Sequence, residues 1–281
     1  MKMLPSLFVS HGSPMMAMES SPARQFLTDW SAHNATPSAI LVVSAHWENV
    51  GGPAVSLVER PDTIHDFGGF PSELYEIKYP APGAPDVARQ AIGMLRSAGF
   101  TVKPNSSRGL DHGTWVPLSL MYPNADIPVF QVSMIHGAGP VEHYRLGVAL
   151  QSLRAQGVLI VGSGSLTHNL YEYFGHRIDD PAPQWVTEFE TWIAGTLSSG
   201  NISNLMDYRS LAPHVERNHP TEDHLLPLFV ALGAAGEGAA AVRVHASHTY
   251  GVLAMDAYSF VEASSDRITE ISASSMETVN V

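Results

Sequence analysis

The chain has no cysteine among its 281 residues. This excludes disulfides, thiolate zinc sites, iron–sulfur clusters and a cysteine nucleophile. Any metal ion must therefore be held by His, Asp or Glu. Basic residues are scarce: 15 Lys+Arg stand against 27 Asp+Glu, a net charge of −12. With no basic block and no basic–aromatic stripe, no nucleic-acid partner is expected. No apolar run is long enough to span a bilayer. Residues 1–9 read as a strand and not as a signal peptide. The expectation is a cytoplasmic protein without a membrane partner.

A hydrophobic content of 44% suits a single globular domain with a sizeable core. Apolar runs at 4–10, 39–46, 128–134 and 158–162 read as buried strands, with 242–245 and 251–258 as further candidates. Helical patterns lie between them, at 21–32, 85–98, 140–156, 184–198 and 222–235. Several open near a proline and close on a glycine. This alternation predicts an α/β fold: one domain, layered α/β/α, with a mostly parallel or mixed central sheet. The catalytic domain is expected over 1–261, with a polar, Ser/Thr-rich tail or extension at 262–281. Long segments at 60–84, 103–117 and 199–221 read as loops. The first carries Phe67, Phe70, Tyr75 and Tyr79 and the second Trp115, and loops of that length in a compact domain usually serve a site.

Histidine is abundant, with 14 in the chain. Three of them close strand-like segments: His11 in His-Gly-Ser-Pro, His46 in Ser-Ala-His-Trp, and His168 in Ser-Leu-Thr-His-Asn. In an open α/β sheet, ligands bind at the carboxyl ends of the strands. A single strand-ending histidine is ordinary turn chemistry. Three delivered to one edge from distant parts of the chain can converge on a metal ion. A fourth, His224, sits in Asn-His-Pro-Thr-Glu-Asp-His-Leu-Leu-Pro-Leu, where a helical run opens. A third ligand could come from Glu222, Asp223 or His224, and spacing does not choose among them. The Gly162-Ser163-Gly164 run lacks the third glycine of a dinucleotide fingerprint. Val161 rules out a nucleophile elbow. The run reads instead as a small-residue loop that leaves room beside His168. Asp111-His112 and His65-Asp66 each pair a histidine with a carboxylate among aromatics that suit a flat ring. His33, His136, His143, His176, His245 and His248 read as structural or surface residues.

The motifs HGSP, SAHW, TIHDFGGFP, YPAPG, DHGTW, the THN turn and PTEDHLLPL occur in this order between about residues 4 and 260. In this the chain resembles the LigB-type (class III) extradiol ring-cleavage dioxygenases, specifically the 4,5-DOPA dioxygenase subfamily. The resemblance implies a catechol and O2 as substrates and one divalent metal ion, Zn or Fe(II). It implies metal ligation by His11, His46 and His224. His168 would stand beside the metal as acid/base or as a further ligand, and His112 on the substrate side. An all-histidine set departs from the two-His-one-Glu pattern of the wider class, and three imidazoles suit zinc as readily as Fe(II). If His224 is the ligand, Asp223 should face solvent or cap the helix. A zinc hydrolase on the same site and a non-catalytic ligand-binding member of the fold are the competing readings.

Overall fold

Short β-branched runs with both faces covered form the central sheet. In the computed structural model, which describes residues 3–262, its strands are β1 (Ser6–Ser10), β2 (Ala39–Ser44), β3 (Val129–Gln131), β4 (Val158–Gly164), β5 (Ala240–His245) and β6 (Ala257–Val261). The order across the sheet is β3-β2-β4-β1-β6-β5. The first four run parallel, while β6 pairs antiparallel with both β1 and β5. The sheet is therefore mixed, and the carboxyl ends of β1, β2 and β4 share one edge. Every residue of β1, β2 and β4 is buried, as expected for strands packed on both faces.

The principal helices are α1 (Pro22–His33), α2 (Pro85–Ser97), α3 (His112–Met121), α4 (Pro140–Leu150), α5 (Gln184–Ser198) and α6 (Leu226–Ala235). Ser21 caps α1 by accepting from the Arg24 N–H, the usual use of serine at a helix start. Every residue of α6 is buried, in keeping with a helix that is apolar all round. Alternation along β4 sets the layers. Gly162 and Gly164 face Pro227 and His224 at the start of α6, while Ser163 between them reaches the Gly113 carbonyl on α3. Successive strand residues point to opposite faces, so α6 and α3 cover opposite sides of the sheet.

The structure corrects some boundaries. Residues 103–117, expected to be a loop, contain the first half of α3. Asp111 caps that helix by accepting from the Thr114 N–H. Pro117 and Gly113 lie inside it, and its nearly complete burial leaves no amphipathic period to read. The expected loop 199–221 carries three short helices, Ile202–Met206, Tyr208–Leu211 and Val215–Asn218. The last helix begins at Leu226, not at 222. Apart from residue 262, the expected C-terminal extension lies outside the described residues. Among the described residues, no helix is long and apolar enough to cross a membrane.

Candidate active site

The end of β4 gathers the site. The Ser163 carbonyl accepts from the Ala45 N–H (3.0 Å), beside His46. The Gly164 carbonyl accepts from the His11 N–H (2.9 Å), and the Ser165 N–H donates to the His224 carbonyl (2.8 Å). Three consecutive residues thus fix the backbones that carry three histidines. The small-residue run therefore has a different purpose from the one its sequence suggests. A Cβ on Gly164 would lie 2.0 Å from the His224 carbonyl oxygen. Glycine here lets the His224 segment lie against the strand. Gly164→Ala should cost about 1–3 kcal/mol of stability, as overpacking does, and should lower metal content by displacing His224. Denaturant unfolding and metal analysis of the purified variant check both.

The rings converge. His11, His46 and His224 each offer one ligand atom within 4.8 Å of the others. Nε2 of His11 lies 3.0 Å from Nε2 of His46. His168 lies flat against His224, with ring centroids 3.4 Å apart and planes at 6°. Its backbone N–H donates to the Asn218 carbonyl (3.0 Å), so the 199–221 segment holds it in place. The His112 ring sits 3.9 Å from that of His46 and 5.4 Å from that of His11. All five residues singled out in the sequence meet at one sheet edge. His214, His219 and His65 do not join them. His214 pairs with Glu188, while His219 and His65 bond the Leu166 and Ile77 carbonyls.

Neighbouring groups fix which nitrogen of each ring is free. Ser163 donates its hydroxyl to the Gly113 carbonyl, so its oxygen accepts from His11 Nδ1–H at 3.1 Å. The lone pair of His11 is then on Nε2. Asp223 Oδ2 lies 2.5 Å from His224 Nδ1, which likewise leaves Nε2 of His224 as the acceptor. A partner on one ring nitrogen sets the state of the other. Burial, reinforced by the neighbouring imidazoles, holds His11 and His224 well below the ordinary histidine value. Burial also lowers His46, to about 4, and lowers His168, against a partial opposing pull from Asp223. Charged imidazoles cannot crowd a buried site. These four are neutral at physiological pH, with lone pairs available.

The sequence reading expected Asp223 to face solvent or cap α6; it does not cap the helix, and its side chain is only partly exposed. The turn before α6 brings its carboxylate onto the His224 ring instead. The carboxylate partners are also exchanged relative to the sequence. Asp66 pairs with His112 and not with His65: its Oδ1 lies 3.0 Å from His112 Nδ1 and accepts from the His112 backbone N–H (2.9 Å). Asp111 is turned inward, accepting from Ser44 Oγ (2.7 Å) and from Arg108 (2.8 Å). Arg108 also donates to the His46 carbonyl (3.0 Å), which ties down the His46-Trp47 turn. Sequence reasoning missed Ser163, Arg108 and Gly113. A Cβ on Gly113 would lie 3.0 Å from His46 and 3.2 Å from His11. Small and polar residues of this kind carry no periodic signal, and only their contacts reveal a role. The aromatics of 60–84 do line the site: Phe67 packs edge-on against His112 (5.6 Å), with Phe70 and Tyr75 each 5.3 Å from it.

Residues 5–260 match the family described as the catalytic LigB subunit of aromatic ring-opening dioxygenase. The chain belongs to the LigB family. It is 43% identical, over 91% of its length and 96% of the relative's, to a 4,5-DOPA dioxygenase extradiol of Beta vulgaris. It is 37% identical, over 82% of its length and 85% of the relative's, to a protein of the same name from Escherichia coli K12. The crystal structure of an uncharacterized protein from Escherichia coli K12 superposes with a TM-score of 0.75. That alignment shows 31% identity and covers 91% of this chain and 99% of the other.

As a LigB dioxygenase, the protein is an oxygen-incorporating, ring-opening enzyme that works with a metal ion. The residues present fit one. Three neutral imidazoles, two of them with the lone pair fixed on Nε2, converge within 4.8 Å. The carboxylate expected at such a centre lies one bond network away, on His224. Asp223→Asn keeps an acceptor for His224 Nδ1–H but removes the charge that raises the ring's basicity. Metal affinity should fall roughly 10- to 100-fold, measured by competition with a chelator. Unchanged affinity would return Asp223 to a passive role.

Proposed function

We propose that this LigB enzyme is an extradiol dioxygenase that opens the ring of a DOPA-like catechol beside its hydroxyl pair, with O2 as co-substrate. Both oxygen atoms enter the product, a ring-opened semialdehyde acid. His11, His46 and His224 hold one divalent ion through Nε2. When bound, the ion supplies Lewis acidity toward the catechol oxygens and the redox chemistry that brings O2 into reaction. Zinc would fit three imidazoles, but it has no redox chemistry, so Fe(II) is the working metal in this reading.

The chain's own groups handle protons and position. His168 is neutral because burial disfavours its cation. It can therefore accept a hydroxyl proton from the catechol and return it as the ring opens. The stack on His224 fixes its ring plane beside the metal ligands. His112, with Asp66 on its Nδ1 side, turns its other nitrogen toward substrate as a hydrogen-bond partner. Phe67, edge-on to His112, offers an apolar flank for the substrate ring.

One observation carries the reading: three convergent imidazole lone pairs with a fourth neutral imidazole stacked beside them. A zinc hydrolase would use the same ligands without O2. The test is an oxygen electrode with iron-loaded protein and a panel of catechols. One O2 consumed per catechol, with a yellow ring-opened product, is expected. No uptake on any catechol, together with ester or amide hydrolysis by the zinc form, would overturn the proposal.

A further inference from the structure

We propose that His46, Asp66 and His112 form a second divalent-cation site, which shares the His46 ring with the first. Each of the three offers one ligand atom within 4.8 Å of the others. His46 has its two nitrogens on different sides. Nε2 lies 3.0 Å from His11 Nε2, and Nδ1 faces Asp66 Oδ2 at 3.9 Å. That second distance is too long for a hydrogen bond. Two ligands on one tetrahedral zinc stand about 3.4 Å apart, so a small closure would bring both onto a cation.

The third corner is His112. Its side chain is only 9% exposed and stands 3.0 Å from Asp66 Oδ1. Nevertheless its Nδ1 is a buried polar atom without a hydrogen bond. The carboxylate is close but poorly directed toward that nitrogen, and a cation between the two would give each a well-directed partner. The set is two imidazoles and one carboxylate, which suits zinc with a water in the fourth position. Asp66 brings the negative charge that the His11–His46–His224 centre lacks. The 21% and 22% exposure of the His46 and Asp66 side chains leaves a route in from solvent.

With both centres filled, His46 must bridge them. Its Nδ1–H proton is then released to solvent as Nδ1 takes up the second cation, and the ring becomes an imidazolate. Cation binding stands on this geometry alone. The consequence for turnover rests on the reading of His112 as the substrate-side group. Closing His46 and His112 onto a shared cation shifts both rings from the positions they offer to the first ion and to substrate, so zinc should inhibit the iron-loaded enzyme.

The test uses untagged protein and zinc alone. Zinc is titrated into the chain at pH 8, and bound metal is counted after gel filtration. Wild type should hold two zinc ions and Asp66→Ala one, with about one extra proton released for the second ion in wild type. Zinc inhibition of the iron form should weaken at least 10-fold in Asp66→Ala. Saturation of wild type at one ion, or retention of two by Asp66→Ala, overturns the site. If Asp66→Ala does not fold, the wild-type count and Asp66→Asn decide. One zinc with intact O2 uptake rejects this site and leaves the dioxygenase reading standing. Two zinc ions without O2 uptake on any catechol do the reverse.

Discussion

His168→Ala should reduce turnover by about 10²–10⁴-fold, the usual worth of a positioned acid/base group, and leave the iron content equal to that of wild type. The ligand atoms that gather within 4.8 Å belong to His11, His46 and His224, and His168 stands outside that group. Its contacts are a stack on His224 and a backbone bond to Asn218. Removing its imidazole takes away the proton acceptor but none of the three converging lone pairs. Single-turnover kinetics of the iron-loaded variant, with metal analysis of the same sample, separate the two effects. Loss of the metal with the activity would make His168 a fourth ligand and leave the proton transfer without a base.

His224→Ala should lose both the metal and the activity. The ring is buried, its Nδ1 is engaged by Asp223, and its centroid lies 5.5 Å from that of His11 and 4.9 Å from that of His46. Asp223 is not placed to substitute, because it reaches the site only through the ring it orients, and Asp66 lies on the far nitrogen of His46. Alanine also removes the surface on which His168 stacks, so added metal should restore little turnover. Bound metal after anaerobic iron loading is the direct measure. Retention of iron by His224→Ala would point to a carboxylate in the third position. Acidification should act in the same direction. Protons compete for the same nitrogens, so metal affinity falls as pH drops toward the value of about 4 for His46.

Much of this architecture was legible in the chain order. The three buried strands that carry the site, β1, β2 and β4, are apolar runs, and each ends at or just before its histidine or small-residue loop. Period and punctuation located them because burial on both faces leaves an unbroken apolar signature. Helix α3 escaped for the same reason in reverse. Its all-round burial erased the amphipathic period, and the proline inside it reads as a breaker. The partners of the carboxylates were also misread, since adjacency in sequence stood in for adjacency in space. His65 and Asp66 are neighbours in the chain, yet Asp66 serves His112 across 46 residues.

By itself, the sequence determined the donor chemistry. Without a thiol, and with histidines at three strand ends, any metal had to meet imidazole or carboxylate. The order of motifs placed the chain among ring-opening dioxygenases. The tertiary structure alone decided which groups meet. It chose His224 over Asp223 as the residue facing His11 and His46, because a turn held against Gly164 points that ring inward. It gave Asp223 and Ser163 the task of fixing tautomers, and Asp66 a place between His46 and His112. Such choices depend on side-chain directions at the ends of three separate strands and one helix. A difference of one residue there turns a group from the site toward solvent, and only packing of the full chain sets it.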